Sequence, residues 1–493
     1  MVSSLVVMAA AALLQQPACD SLKTLSLPRA AITAVESVAA GAQAPGRGRG
    51  AAAPLPAHCR VAVTLTPSAD SHIEMELWLP TENWNGKFLA VGNGGWAGSI
   101  SFDAMASGLR RGYATASNDT GHKGGSAAFA LGHPEKLVDF GYRAMHEMAV
   151  QSKTLIQSFY RRAPQLSYYQ GCSTGGRQGM MAAQRYPEDF DAIVAGAPVY
   201  NVVHLNVSQV SLQVGMLKNP ASLVPPEKRT LFANAVVAAC DPRDGVTDGI
   251  ISEPRACKVD PVVLACKAED GPDCLTAAQV ANALSAYAPV TTRSGALVYP
   301  GRSPGFETGW RIPTPGAPLN PLFADMPRYV GRQDPNWDPM TFNLETDLAL
   351  ALKNAGFVEA SDPDLATFKG RGGKLLLYHG WADPGPAPEN TINYYDAVHR
   401  TLGGKQDDWM RLFLMPGVGH CGGGVGPDQA DFLGAIERWK EQGVAPDQII
   451  ATKPAGRGAS APMSRPLCPH PQVARYNGSG STDDAKNFSC ATP

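Results

Sequence analysis

Residues 166–186, LSYYQGCSTGGRQGMMAAQRY, decide the reading of this chain. LSYYQ has the apolar character of a buried strand, and GRQGMMAAQRY is compatible with a helix. Between them Gly171-Cys172-Ser173-Thr174-Gly175 fits G-x-S-x-G. In such a strand-to-helix turn the serine Oγ is lifted clear of the backbone, the glycines let neighbouring strands come close, and the helix N-terminus favours developing negative charge. The pattern alone also describes a plain glycine turn; the strand before it and the helix after it favour a nucleophile at Ser173. A tetrahedral oxyanion needs two backbone donors. Thr174, the residue after the nucleophile, supplies one. Gly92-Asn93-Gly94-Gly95, at the end of the strand KFLAV, is placed to supply the other through Gly94 or Gly95, with an ordinary turn as the alternative.

Outward from the elbow, KFLAVGNGG and YATASND read as strands ending in loops, and Tyr142 to Tyr160 repeats apolar residues at helical spacing. Strand and helix in alternation predict a parallel sheet with crossover helices. From Val207 to Lys369 the sequence turns proline-rich and cysteine-bearing, as an inserted unit would. The core pattern resumes with KLLLYHG, a helix around TINYYDAVHRTL, the strand RLFLMPGVG and a helix around DFLGAIERWKEQG. Asp383 stands just beyond the first of these late strands and His420 just beyond the second, which completes the order Ser, acid, His expected of an α/β-hydrolase fold. Asp383 would orient the imidazole while His420 takes the serine proton. Glu389 competes for the acid role. His379 precedes the acid and is excluded as the base.

The fold class predicted is therefore α/β, an α/β-hydrolase fold with a large inserted lid. The expected boundaries are an export leader at 1–18, a lead-in at 19–59, core at 60–205, lid at 206–369, and core with a loop-like tail at 370–493. Residues 43–57 are Gly, Pro and Ala rich, which places the start of the folded core near Cys59.

The chain has 493 residues, 44% apolar and 17% charged, enough to bury a substantial core. With 42 basic and 44 acidic residues the net charge is -2, which leaves no electrostatic footprint for nucleic acid or an anionic membrane. A small, neutral or weakly charged substrate fits better, and no oligomeric state is indicated. The opening MVSSLVVMAAAALLQQPA is apolar and too short to span a bilayer, so it reads as a leader for secretion or periplasmic export; a buried helix is the alternative, because no Lys or Arg precedes the apolar run. Ten cysteines suit an oxidising compartment. There is no CxxC pair, and Cys240, Cys257, Cys266 and Cys274 match no zinc register. Cys172 and Cys421 flank the proposed nucleophile and base. A bridge between them would join points 249 residues apart and stabilise by roughly 4 to 5 kcal/mol in the chain-entropy model.

Cys-Ser, Asp and His-Cys in this order resemble the tannase and feruloyl esterase family, as do SNDTGH, AGAPVYN, YHGWAD, PGVGHC and RPLCPHPQ. The resemblance covers most of the chain. It implies a Ser173–Asp383–His420 triad and a Cys172–Cys421 bridge, with further bridges Cys19–Cys59, Cys240–Cys257, Cys266–Cys274 and Cys468–Cys490. It implies hydrolysis of esters of aromatic acids, with ferulates first, gallates second and terephthalate monoesters third, and no organic cofactor. It also makes CDPRDGVTDGII, residues 240–251, a structural calcium site formed by Asp241, Asp244 and Asp248 with the carbonyls of Val246 and Ile250. Calcium favours such hard oxygens, although the EF-hand register is absent and an Asx-rich turn would look similar.

Other residues take quieter roles. His146, on an apolar helix face, reads as a packed core histidine. Asp119 and His122 either border the site or bond within their loop. Trp310, Phe323, Tyr329 and Trp337 form the acyl pocket or the core of the insertion. A serine peptidase with the same triad and a calcium-stabilised binding module without activity are the competing function classes.

Overall fold

The computed structural model describes residues 19–45, 53–96, 98–456 and 461–493. The expected export leader, 1–18, lies outside them. Nine strands form one twisted sheet: β1 (Ala30–Val38), β2 (His58–Leu65), β3 (Ile73–Pro80), β4 (Lys87–Val91), β5 (Ala114–Asn118), β6 (Leu166–Cys172) and β7 (Ala192–Gly196) before the insertion, then Lys374–Gly380 and Met410–Met415 after it. The insertion carries a small hairpin, β8 (Val290–Thr291) with β9 (Leu297–Tyr299), so the two late strands are β10 and β11. The order is β1-β2-β3-β5-β4-β6-β7-β10-β11. From β5 to β11 every pairing is parallel, while β1, β2, β3 and β5 pair antiparallel.

The helices before the insertion are α1 (Phe102–Arg110), α2 (Pro134–Val138), α3 (Ala144–Tyr160) and α4 (Thr174–Arg185). Within it lie α5 (Val202–Lys218), α6 (Pro226–Cys240), α7 (Ala277–Tyr287), α8 (Pro321–Asp325), α9 (Leu344–Ala355) and α10 (Ala366–Gly370), and after it α11 (Pro388–Leu402) and α12 (Phe432–Gln442). β10 shows why both faces of the sheet are covered. Its residues are apolar without alternation; Leu375 and Leu377 bury against the layer of α3, α4 and α11, and Leu376 against that of α1 and α12. A strand buried on both faces has no solvated side to mark with polar residues.

Two boundaries differ from the sequence reading. The lead-in contains β1, paired with β2 from Ala30↔Leu65 to Val38↔His58, so the folded region starts well before Cys59. This edge strand is half-exposed and built from small residues, which leaves little hydrophobic signal. The tail is not loop-like: β12 (Gln429–Ala430), β13 (Ile449–Lys453) and β14 (Met463–Leu467) form one small sheet, and β15 (Val473–Tyr476) and β16 (Phe488–Ala491) another. These strands are short and interrupted by Gly, Ser and Pro, and the Cys468–Cys490 bridge ties them. The helix α5 also runs across the expected boundary at 205/206.

All five cysteine pairs implied by the resemblance are disulfides in the structure, and no cysteine is free. The insertion has two apolar cores. One packs α5, α8 and α9 and includes Phe323 and Trp337; the other joins α6 and α7 around Trp310. Tyr329 packs on the first from a half-buried position.

Because Leu377 is fully buried in the sheet centre, Leu377→Ala should cost about 2–5 kcal/mol. Denaturant unfolding with an unchanged m-value measures this; a loss below about 1 kcal/mol would contradict the packing described.

Candidate active site

Ser173 sits between β6 and α4 with φ 65° and ψ −123°, a left-handed conformation that costs a non-glycine residue about 1–3 kcal/mol. Close backbone approach around it holds the turn. A Cβ on Gly171 would lie 2.6 Å from the Gly175 carbonyl carbon, and one on Gly92 would lie 2.2 Å from the Tyr169 hydroxyl. The Ser173 amide donates to the Gly196 carbonyl at 2.9 Å, fixing the elbow against β7.

The Cys172–Cys421 disulfide, Cα–Cα 6.0 Å, brings the loop after β11 to this elbow. His420 Nδ1 lies 2.6 Å from Asp383 Oδ2, so its proton is directed at the carboxylate and Nε2 is left to accept. Among the described residues no side chain hydrogen-bonds Ser173 Oγ. Ser173, Asp383 and His420 meet as walls of one cavity, with Thr174 and Gly95 beside them. Thr174 Oγ1 donates to the Gly95 carbonyl at 2.9 Å, which joins the two loops proposed to carry the oxyanion donors. Gly94 does not border the cavity. Glu389, the competing acid, is paired with Arg255 at 2.7 Å.

Asp383 has a second side-chain partner that sequence order alone left idle. The fully buried His379 places Nε2 3.1 Å from Asp383 Oδ2 and 3.2 Å from the Pro386 carbonyl, while Nδ1 is 2.8 Å from Thr391 Oγ1. Facing two acceptors, Nε2 carries a proton. The Gly385 amide donates to Oδ1 at 2.9 Å. Burial on its own would raise the Asp383 carboxyl, but the hydrogen bonds and charges of His379 and His420 outweigh it and hold the group below its ordinary value. The sequence signal was a histidine four residues before the acid; its role needed the loop geometry.

The cavity, about 540 Å3 counting its open mouth, is mainly apolar, with Trp96, Phe140, Val202, Leu205, Leu322 and Phe323 on its walls. The core and the insertion are tied around it. Trp96 Nε1 donates to the Leu322 carbonyl at 3.0 Å, and the Trp96 carbonyl is bonded by His122 Nε2 at 2.7 Å. Arg177, one turn into α4 and fully buried, donates to the carbonyls of Phe140, Gly141 and Val358. Asp119 serves its loop, accepting from the amides of Glu74 and Gly121. His146 is not a core residue. It lies half-buried, 2.9 Å from Asp189 and stacked on Tyr186, and this carboxylate raises its pKa although burial alone would lower it.

In the loop 241–250 the Asp241 carboxylate accepts from the amides of Asp248 and Gly249, Asp244 from that of Val246, and Asp248 from that of Ile250. Burial pushes the Asp248 carboxyl up to about 6 against the pull of Arg465, with Asp241 and Asp244 adding repulsion. Elsewhere Cys266, Asp270 and Cys274 also cluster. Both sulfurs there are spent in their mutual disulfide and Asp270 is paired with Lys228, so no thiolate is left for a metal.

A family model described as tannase and feruloyl esterase matches residues 59–491. An uncharacterised esterase of Xanthomonas campestris pv. campestris is 36% identical over 527 residues, covering 96% of this chain and 91% of the relative. Feruloyl esterase C of Talaromyces stipitatus is 35% identical over 501 residues, covering 96% and 94%. The crystal structure of feruloyl esterase B from Aspergillus oryzae matches with TM-score 0.88 at 32% identity, over 96% of this chain and 99% of that one. Tannin acyl hydrolase from Aspergillus niger matches with TM-score 0.78 at 22% identity, over 97% and 95%, a likeness of fold.

Two outcomes test this geometry. Converting both Cys172 and Cys421 to alanine should lower esterase turnover more than tenfold at a temperature where circular dichroism still reports a folded protein. Turnover equal to the parent would deny the bridge a positioning role. His379→Leu removes one of the groups that depress Asp383, so its carboxyl pKa rises. The stability that ionised Asp383 contributes is complete above its unfolded pKa of about 3.9 and lost as pH falls through the depressed folded value, a loss that starts at higher pH in the variant. Acid unfolding that begins at the same pH in parent and variant would separate His379 from Asp383.

Proposed function

Because the chain belongs to the tannase and feruloyl esterase family and is a carboxylic ester hydrolase, we propose that it cleaves esters of aromatic acids through an acyl-enzyme on Ser173. Ser173 Oγ attacks the ester carbonyl as His420 Nε2 takes its proton, and the amides of Thr174 and Gly95 receive the oxyanion. His420 then protonates the departing alcohol. Water, deprotonated by the same imidazole, attacks the acyl-enzyme and releases the acid and free Ser173. The observation that carries this reading is the convergence of the elbow serine, a carboxylate-bound imidazole and an aromatic-walled cavity.

The cavity lining favours a feruloyl over a galloyl group. Among the described residues outside the catalytic loops, Asn206 and Arg311 line it with polar side chains, and the Arg311 guanidinium lies over the Phe323 ring at 5.6 Å. A galloyl ring carries three hydroxyls, more than two such groups satisfy, and each unpaired buried hydroxyl costs about 1–3 kcal/mol. The insertion that supplies Leu322 and Phe323 acts as the lid of the site. Export to an oxidising compartment is supported by five disulfides, and no described helix is long and apolar enough to cross a membrane.

The loop 241–250 is proposed to hold a structural calcium ion through the carboxylates of Asp241, Asp244 and Asp248 and the carbonyls of Val246 and Ile250. The donor chemistry is of the kind calcium takes: Asp241, Asp244 and Asp248 offer hard carboxylate oxygens, Asp241 and Asp244 act on Asp248 as neighbouring negative charge, and Arg465 pairs with Asp248. Bound there, the ion would neutralise the carboxylates; the loop is tied to the tail by the Arg465–Asp248 ion pair, and the reaction does not pass through the site.

Methyl ferulate, methyl gallate and a terephthalate monoester should be hydrolysed in that order of kcat/KM, and Ser173→Ala should lose at least about 1000-fold on each. A variant as active as its parent, or Ser173-dependent cleavage of a peptide reporter alone, would overturn the esterase mechanism. Chelation should lower Tm by about 2 °C or more in the parent and not in Asp248→Asn; equal response of both would remove calcium from this loop.

A further inference from the structure

On the wall of the cavity formed by α5, Val202, Leu205 and Asn206 face the catalytic residues. Asn206 is 3% exposed, and among the described residues its carboxamide has no hydrogen-bond partner. Its polar neighbours on the same helix face each have a partner. Gln209 Oε1 accepts from the Arg302 guanidinium at 3.0 Å, and Gln213 donates to the Gln209 carbonyl at 3.3 Å. Buried side-chain amides are ordinarily paired, so one left open toward a cavity points to a ligand group. Around it the walls are Trp96, Phe140, Leu322 and Phe323, which offer no competing donor or acceptor to the interior except the rim guanidinium of Arg311.

We propose that Asn206 is a specificity-determining residue that reads a ring hydroxyl on the aromatic acyl group. This rests on the aromatic-ester reading above and adds to it which ring substituent is selected. A carboxamide offers Oδ1 to a hydroxyl proton and Nδ2 to a hydroxyl lone pair, so a phenol satisfies both of its hydrogen-bonding roles there. An unsubstituted ring would leave the amide dry and unpaired beside an apolar face, and a methoxy group accepts without donating. Selection of this kind is strong because the site's own buried polar group is left unmatched by the wrong substrate.

The test compares kcat/KM for methyl 4-hydroxycinnamate, methyl 4-methoxycinnamate and methyl cinnamate in the parent, in Asn206→Leu and in Asn206→Ala. The parent should prefer the hydroxylated ester at least tenfold over each of the others. In either folded variant that ratio should fall to near one, with the change carried mainly by KM. A parent ratio near one overturns the assignment even if neither variant folds, and a ratio retained in a folded variant overturns it as well. Failure of the parent to cleave any of the three esters overturns the aromatic-ester reading itself, and this assignment with it.

Discussion

The architecture depends on one crowded backbone junction, where β6 turns into α4. A serine at φ 65° stands where Gly92, Gly171 and Gly175 let backbone and side chains approach more closely than any Cβ would allow. Everything else in the site is referred to that point. The disulfide beside it fastens the loop after β11, and the Gly196 carbonyl fastens it to β7. Two loops that share no sequence neighbourhood therefore meet with little freedom left to lose, the condition under which a weak oxygen nucleophile and a base act together.

Around the junction, charge is handled by containment. Asp383 is a fully buried carboxylate whose desolvation would ordinarily neutralise it, yet two imidazoles and a backbone amide keep it ionised. His379 pins the carboxylate from the protein side, and His420 meets it from the cavity side. The result is a fixed negative end for the imidazole that shares the cavity with the proposed nucleophile. Arg177 is a different case, a fully buried guanidinium with no carboxylate partner among the described residues, its pKa lowered to about 10 by burial, its two terminal nitrogens donating to carbonyls of the core and the insertion and its Nε without a partner.

The insertion does more than cover the sheet. Leu322 and Phe323 enter the cavity, and the Trp96 indole reaches across to the Leu322 carbonyl. The glycine loop and the insertion are thus mechanically one wall. The bonds of the Asp325 carboxylate to Ser126 and Ala127 add a second tie at the same level. The insertion wall of the cavity is in this way fastened to the loop that carries one proposed oxyanion donor.

Local pattern was enough for the central sheet, the elbow, the late strands and the order of the proposed triad, because buried parallel strands, glycine turns and strand ends leave marks within a few residues. The half-exposed edge strand at 30–38 and the short strands of the tail left no such marks, since their pairing partners and disulfides, not their own apolar runs, hold them. His379 shows the same limit at the site: its sequence position could exclude it as the base but not reveal that its ring closes on Asp383. What the sequence determined by itself was which residues can do chemistry and which strand ends carry them. Only the tertiary structure decided which ones touch, which are already satisfied and which, like Asn206, are left open, because hydrogen bonding is a property of neighbours in space and the chain lists only neighbours in order.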